Sequence, residues 1–428
     1  MSLFVNAHRI RAWAEATIAR SMLPHVIRRL AWATLDPRDV QKIDFPAYES
    51  VQRPGFDGEV SCRKGNAWVP DGDSVWELSV ESQVGRKANS DFDIRTKNTP
   101  AEIRQKSTYV SLTARHWREK KGWADEKRKL GEWKDVRALD ADDIEQWAET
   151  APFGFIVWFG RQIGTRPSGV DDISERWEVI SRFSSRPLVP KVYLAGRDRS
   201  VSRIEEWLNG QSAQLLIECR SPAEIADFFC AAVAAMQDED RERIESRTVI
   251  VSSYDAWSAL RDGTTPSILV VEPSICLPAQ EIMRAVGNGH HVLVSTEPTF
   301  PNTDRTIELE RASEFELKQA LEECGYAPVQ AEQLARSAGG SLAILKHRLA
   351  PSRVELPDWS QGVSSEVLAA CLLLGGWSDN SADHDAFAQI AGRPFAECEA
   401  ELQLLASGRD PLLLHAAGNW RLISKDHA

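Results

Sequence analysis

Four apolar runs constrain this chain more than any other feature. LLIEC, RTVIVSS, SILVVEP and HHVLVST fall between residues 215 and 296, with helical pattern between them. A strand that is apolar on both faces must be covered on both faces, and such runs between helices specify a parallel α/β sheet. The expected fold class is therefore α/β. At 428 residues, 43% of them hydrophobic, the chain should be multidomain, because one core does not grow to that size.

No apolar run approaches the ~20 residues of a membrane span. The opening MSLFVNAHRIRAWAEA carries charges where a signal peptide needs an apolar stretch. A soluble cytoplasmic protein without a membrane partner is expected. The seven cysteines (Cys62, Cys219, Cys230, Cys276, Cys324, Cys371, Cys398) contain no C-x-x-C pair, so they predict small core residues and neither a zinc site nor a disulfide framework.

The pattern divides the chain into residues 1–152, a linker with one helix at 153–190, an α/β domain at 191–310, a helical subdomain at 311–355 and a last domain at 356–428. The first segment opens on a helical stretch from Ala7 to Leu35, followed by strand candidates VQRPGFDGEVS, SVWELSV and TYVSLTA. WKDVRALDADDIEQWAETA then reads as strand and helix, with Asp140 as the N-cap. The last segment reads as three helices and a hairpin, the outline of a winged helix.

Chemistry concentrates in GFDGEVSCRKGNAWVPDGDSVWELSVESQVGRKANSDFDIRTK. Asp57 and Glu77 sit on successive strand candidates, and two carboxylates at one end of a hairpin can share a divalent cation. Phosphodiester hydrolysis needs such a metal, plus a cation for charge developing at the phosphate. Gly55 and Gly58 flank the aspartate and would let another backbone come close.

The net charge of −12 argues against a protein that coats nucleic acid. Residues 104–137 are a local exception, with eleven Lys or Arg against five acids and three interleaved tryptophans. This stretch reads either as a solvated helical face or as a contact for a DNA backbone. Arg118, Lys120 and Lys121 are its candidate phosphate ligands, with Arg53 and Arg95 outside it. The tryptophans at 68, 76, 117, 123, 133 and 147 are expected to pack in the core or at its rim.

With these residues in view, the first segment resembles the PD-(D/E)xK, restriction-endonuclease-like nucleases. The resemblance implies a metal-dependent nuclease with Asp57 and Glu77 as catalytic metal ligands for Mg²⁺ or Mn²⁺, and Glu49 as an outer-shell acid. The family's usual lysine position, two residues after the glutamate, holds Ser79 here. Some members supply the lysine from the following helix, which makes Lys87 the catalytic cation and Lys97 the alternative.

The stretch LAGRDRSVSRIEEWLNGQSAQLLIECRSPAEIADFF resembles the opening of STAND-type and related AAA+-like ATPases. Their phosphate loop needs glycines, then Lys and Ser/Thr, whereas CRSPAEIADFF has none of that pattern. The candidate metal-binding strand SILVVEPS ends in Glu272 before a proline. The resemblance therefore implies a degenerate P-loop-like fold with a lid, in which ATP is not an expected cofactor. Residues 361–428 carry a net charge of −5, which favours docking on protein over reading DNA.

The order nuclease, NTPase-like core, lid, winged helix resembles bacterial antiphage defence proteins. It implies a regulated DNase that acts on nucleic acid as a homo-oligomer or with a partner protein of a defence complex. The alternative expectation is a catalytically inactive nucleic-acid-binding sensor or scaffold.

Overall fold

The computed structural model describes residues 4–47, 55–165, 167–210, 213–219, 221–275, 277–296, 306–350, 359, 362–407, 411–416 and 418–423. It is α/β throughout, with two compact units. The first comprises Met1–Asp172, Asp238–Val249 and Thr265–Ser267, and the second comprises Ile173–Gln237, Ile250–Thr264 and Ile268–Ala428. Among the described residues no helix is long and apolar enough to cross a membrane.

The first unit is built on a five-stranded mixed sheet in the order β1 (Val40–Asp44), β2 (Gly58–Cys62), β3 (Gly72–Ser79), β4 (Ser107–Thr113), β5 (Asp135–Leu139). β1, β2 and β3 form an antiparallel meander, and β4 and β5 add parallel to β3. Period-two alternation sends alternate residues to opposite faces. Val60, Trp76, Val110 and Leu112 face one core with helices α1 (Ala7–Trp13), α2 (Ala19–Thr34), α6 (Ala141–Glu149) and α7 (Phe153–Gln162). Val75, Tyr109 and Val136 face the other, under α3 (Val84–Asn98) and α5 (Lys120–Lys129), while the short α4 (Ala101–Arg104) leads into β4. The short strand β6 (Val170–Asp172) ends the first run of this unit.

Several details differ from the sequence expectation. The single helix expected from Ala7 to Leu35 is two, because Glu15 and Ala16 close back on Ala12 and Trp13 with one-residue-shorter turns. β1 was not foreseen. Its sequence VQKID has only one buried residue, so it carries no strong period-two signal. Phe153–Gly160, read as the start of a linker, is buried at every position, as FGFIVWFG demands of a helix that is apolar all round. Trp76, Trp117, Trp123, Trp133 and Trp147 are all buried core residues, as expected.

The helix Asp238–Glu245 belongs to the first unit. There Glu242 pairs with Arg28, and Glu245 accepts from the fully buried Arg29 at 2.7 Å. Arg29 also lies 4.3 Å from the Trp158 ring centre, a cation–π contact in a dry core.

In the second unit β10 (His291–Thr296) lies parallel between β9 (Ile268–Val271) and β7 (Gln214–Cys219), and β11 (Thr306–Leu309) adds parallel to β7. With β8 (Thr248–Val251), whose first two residues fall in the first unit, these strands include all four apolar runs that opened the sequence argument. Three helices follow at Glu314–Glu323, Pro328–Ala338 and Leu342–Leu349. Three more, Ser365–Leu374, Ser381–Ala391 and Phe395–Ala406, pack with a small antiparallel sheet of β12 (Gly376–Ser378), β13 (Leu413–Ala416) and β14 (Asn419–Leu422). His290 is buried with Nε2 3.0 Å from the Gly263 carbonyl oxygen, and the His291 ring lies against Trp207, so both histidines pack within the fold.

Candidate functional site: a carboxylate pair under helix α3

Asp57 stands immediately before β2, not on a strand as expected. The ladder pairs Gly58 with Trp76, so Asp57 comes level with Glu77 on β3. Its Oδ2 accepts the Leu78 N–H at 2.8 Å, which ties the side chain to the neighbouring strand. Next to it Gly58 makes room for the Phe45 ring, since a Cβ there would lie 2.1 Å from that ring. Glu49 and Arg53 lie outside the described residues.

Glu77 is 4% exposed and shares its sheet face with Val75 and, across the register, Ser111. Burial pushes its carboxyl up to about 8; Arg95 opposes the rise and the nearby Asp57 adds to it. Burial also raises Asp57, against the Leu78 hydrogen bond and Arg95.

Helix α3 brings one face down on this pair. Lys87, Asp91 and Arg95 recur every fourth residue and so share a stripe. Lys87 Nζ bonds Asp91 Oδ1 at 2.6 Å. The cation on Glu77 is Arg95, with Nε 2.5 Å from Oε1 and Nη2 3.3 Å from Oε2. The Arg95 guanidinium also lies 5.5 Å from the Phe56 ring centre. Lys97 is exposed on another side of the helix. Asp91 and the role of Arg95 escaped the sequence argument, although their spacing of four and eight residues from Lys87 was visible in it.

The Tyr109 hydroxyl belongs to the same neighbourhood. Tyr109 is fully buried between Phe92 and Trp133, and its hydroxyl has no hydrogen-bond partner among the described residues. Burial raises its pKa well above the ordinary tyrosine value, and the charges of Glu77 and Asp91 add to the effect.

The donor set fits a hard divalent cation. Asp57, Glu77 and Asp91 are carboxylates within electrostatic reach of one another. The Tyr109 hydroxyl, unpartnered among the described residues, lies on the same sheet face, within electrostatic reach of Glu77, Asp91 and Asp57. The three-residue group whose ligand atoms converge within 4.8 Å lies elsewhere, at His116, Asp140 and Asp142. Its buried member is already committed. Asp140 accepts from Trp117 N–H at 2.9 Å, Lys120 Nζ at 2.6 Å and Asp142 N–H at 3.1 Å, capping α6. That cluster is better explained as a helix cap than as a metal centre.

Several cations of the basic stretch are paired with acids inside it and outside it. Lys120 is held by Asp140 and Asp143, Arg128 by Asp125 and Asp135, and Arg104 by Glu132. Arg118 and Lys121 remain exposed. No protein-family model and no curated protein matches this chain.

In the second unit the helix after β7 begins at Glu224, where a phosphate loop would deliver its ligand. Two carboxylates of the chain fill its first turn. Glu224 Oε2 accepts from the buried Arg197 at 2.8 Å, and its Oε1 accepts the Leu342 N–H at 3.0 Å. Asp227 pairs with Arg176 at 2.8 Å and with Lys346. Burial alone would raise Asp227, but Lys346 and Arg176 outweigh it and hold the carboxyl below its usual value. Glu272 lies 3.4 Å from the same Arg176.

Proposed function

We propose that the first unit is a metal-dependent nuclease of the PD-(D/E)xK kind, and that the second is a regulatory module that does not use nucleotide. One observation carries the nuclease reading: Asp57 and Glu77 stand level at the end of the β2–β3 pair, beneath a helix face bearing Lys87, Asp91 and Arg95. The antiparallel meander followed by two parallel strands supports a restriction-endonuclease-like core.

Asp57 and Glu77 would hold Mg²⁺ or Mn²⁺, with Asp91 close by. When bound, the ion supplies an activated water and a charge for the leaving oxygen. Lys87 and Arg95 are the chain's own cations for the phosphate, Lys87 after release from Asp91. Arg118 and Lys121 are exposed candidates for the backbone of the nucleic acid, proposed to be DNA. Lys120 is withdrawn from that role by Asp140 and Asp143.

The second unit supports a P-loop-like sheet with a helical lid and a winged-helix-like end. The first turn of the helix after β7 is filled by Glu224 and Asp227, held in ion pairs with Arg197, Arg176 and Lys346, and CRSPAEIADFF lacks the glycines and lysine of a phosphate loop. ATP is therefore not proposed as a cofactor. Cytoplasmic antiphage defence, with self-assembly or a partner protein as trigger, is the setting this architecture suggests.

Cleavage of supercoiled and linear DNA with Mg²⁺ or Mn²⁺ tests the reading. Glu77→Gln and Asp57→Asn are expected to lose cutting by at least about 10²-fold, and Lys87→Ala by a similar factor. A second reading, an inactive nucleic-acid-binding scaffold, is favoured by the pairing of Lys87 with Asp91 and of Arg95 with Glu77. DNA affinity without hydrolysis in any metal, unaffected by Glu77→Gln, is its expected result.

A further inference from the structure

The group that satisfies Glu77 in this chain is a guanidinium. Arg95 engages both carboxylate oxygens, at 2.5 Å and 3.3 Å, and those are the lone pairs a metal would use. Its charge also acts on Asp57, so one positive group serves both carboxylates. We propose that Arg95 stands where a divalent cation would bind, as a built-in competitor that the metal must displace.

This inference rests on the reading of Asp57 and Glu77 as metal ligands, and it adds how their occupancy is controlled. Three observations carry it. Arg95 is the removable member of the cluster: its side chain is 24% exposed and it lies in the last turn of α3. Its guanidinium also lies over the ring of Phe56, a contact that it can leave at small cost. Lys87, by contrast, is already bound to Asp91 and has no contact with Glu77.

The second observation is the buried Tyr109 hydroxyl, fully shielded, on the same sheet face and without a partner among the described residues. An arginine alone leaves that hydroxyl unsatisfied, whereas an ion with its water shell supplies a partner. The third is chemical. A compact dication matches two converging carboxylates more strongly than a single delocalised charge does.

Displacement also has a destination. A released guanidinium is a planar, bidentate donor suited to a phosphodiester. Metal entry would then convert Arg95 from a lock on Glu77 into a contact for the substrate, coupling the two binding events.

The test is calorimetry of the full chain with Mn²⁺ alone at pH 8, comparing wild type with Arg95→Met and Arg95→Lys. Arg95→Met is expected to bind Mn²⁺ about tenfold more tightly, with Arg95→Lys in between. The rise in melting temperature with Mn²⁺ should likewise be larger in Arg95→Met, because the metal replaces a missing counter-charge. If Arg95→Met does not fold, tighter binding by Arg95→Lys carries the test. Equal or weaker binding by the folded Arg95 variants, with wild-type binding abolished by Asp57→Asn, overturns the competitor and leaves the ligand assignment standing. No Mn²⁺ heat or stabilisation in any form overturns both.

Discussion

Glu77 and Tyr109 are neighbours with opposite deficits. Glu77 has a strong partner in a buried position, and the Tyr109 hydroxyl has none among the described residues. A buried polar group without a hydrogen bond costs about 1–3 kcal/mol. Tyr109→Phe is therefore expected to stabilise the metal-free protein, by up to about 1 kcal/mol after the small packing change. Urea unfolding followed by tryptophan fluorescence measures this, and a loss of stability would mean that the hydroxyl has a partner in solution. At this scale the sequence was only half legible. Asp57, Glu77 and Lys87 stand out as chemistry-bearing residues, and the spacing of Lys87, Asp91 and Arg95 defines one helix face. Which of the two cations reaches Glu77 depends on how α3 lies across β3, and no local pattern encodes that.

Elements were more legible than their junctions. Asp140 was readable as an N-cap, and it forms a full capping box with Asp143. It also holds Lys120 and the Trp117 amide, so its removal takes away a cap and leaves a half-buried ammonium with one fewer partner. Asp140→Ala should cost about 2–4 kcal/mol. His116→Ala should stay within about 0.5 kcal/mol, because His116 is exposed at the rim of the same cluster. Chemical denaturation of both variants, with and without Mn²⁺, separates cap from metal site. Metal-dependent stabilisation lost in His116→Ala would reverse the assignment. By comparison, β1 and the buried helix α7 were missed for plain reasons. β1 offers almost no alternation, and an all-apolar helix that leads into the turns GTRPSG and SSRPLVP reads as a connector until its burial is seen.

In both units, buried carboxylates such as Glu77 and Asp227 carry ion-pair partners. In the second unit the ions around Glu224 and Asp227 give a prediction about acid. Asp227 has a folded pKa below its unfolded value near 3.9, so its contribution is present above about pH 4 and is lost as pH falls through the folded value. Asp227→Asn leaves Arg176 and Lys346 facing a neutral amide and should cost about 3–5 kcal/mol at pH 7. The gap between variant and wild type should narrow as the pH falls below about 4. Melting curves from pH 7 to pH 2 would show it, and a gap that stays constant would mean that the carboxylate is not the stabilising form. Mg²⁺-ATP should leave the wild-type melting temperature unchanged, and a clear rise would restore a nucleotide site that the filled helix start argues against.

The helix Asp238–Glu245 has a consequence for how the protein comes off the ribosome. It supplies the carboxylates for Arg28 and Arg29, yet it is translated some 210 residues after α2 and belongs to the same compact unit. Domains that are continuous in sequence can close as soon as their last residue emerges. Here the nascent first unit would lack the Glu242 and Glu245 carboxylates until more than half of the chain has been made. Synthesis of the second unit is then well under way before the first can finish folding, so under the proposed function the nuclease would be completed only after part of its proposed regulatory unit had been made.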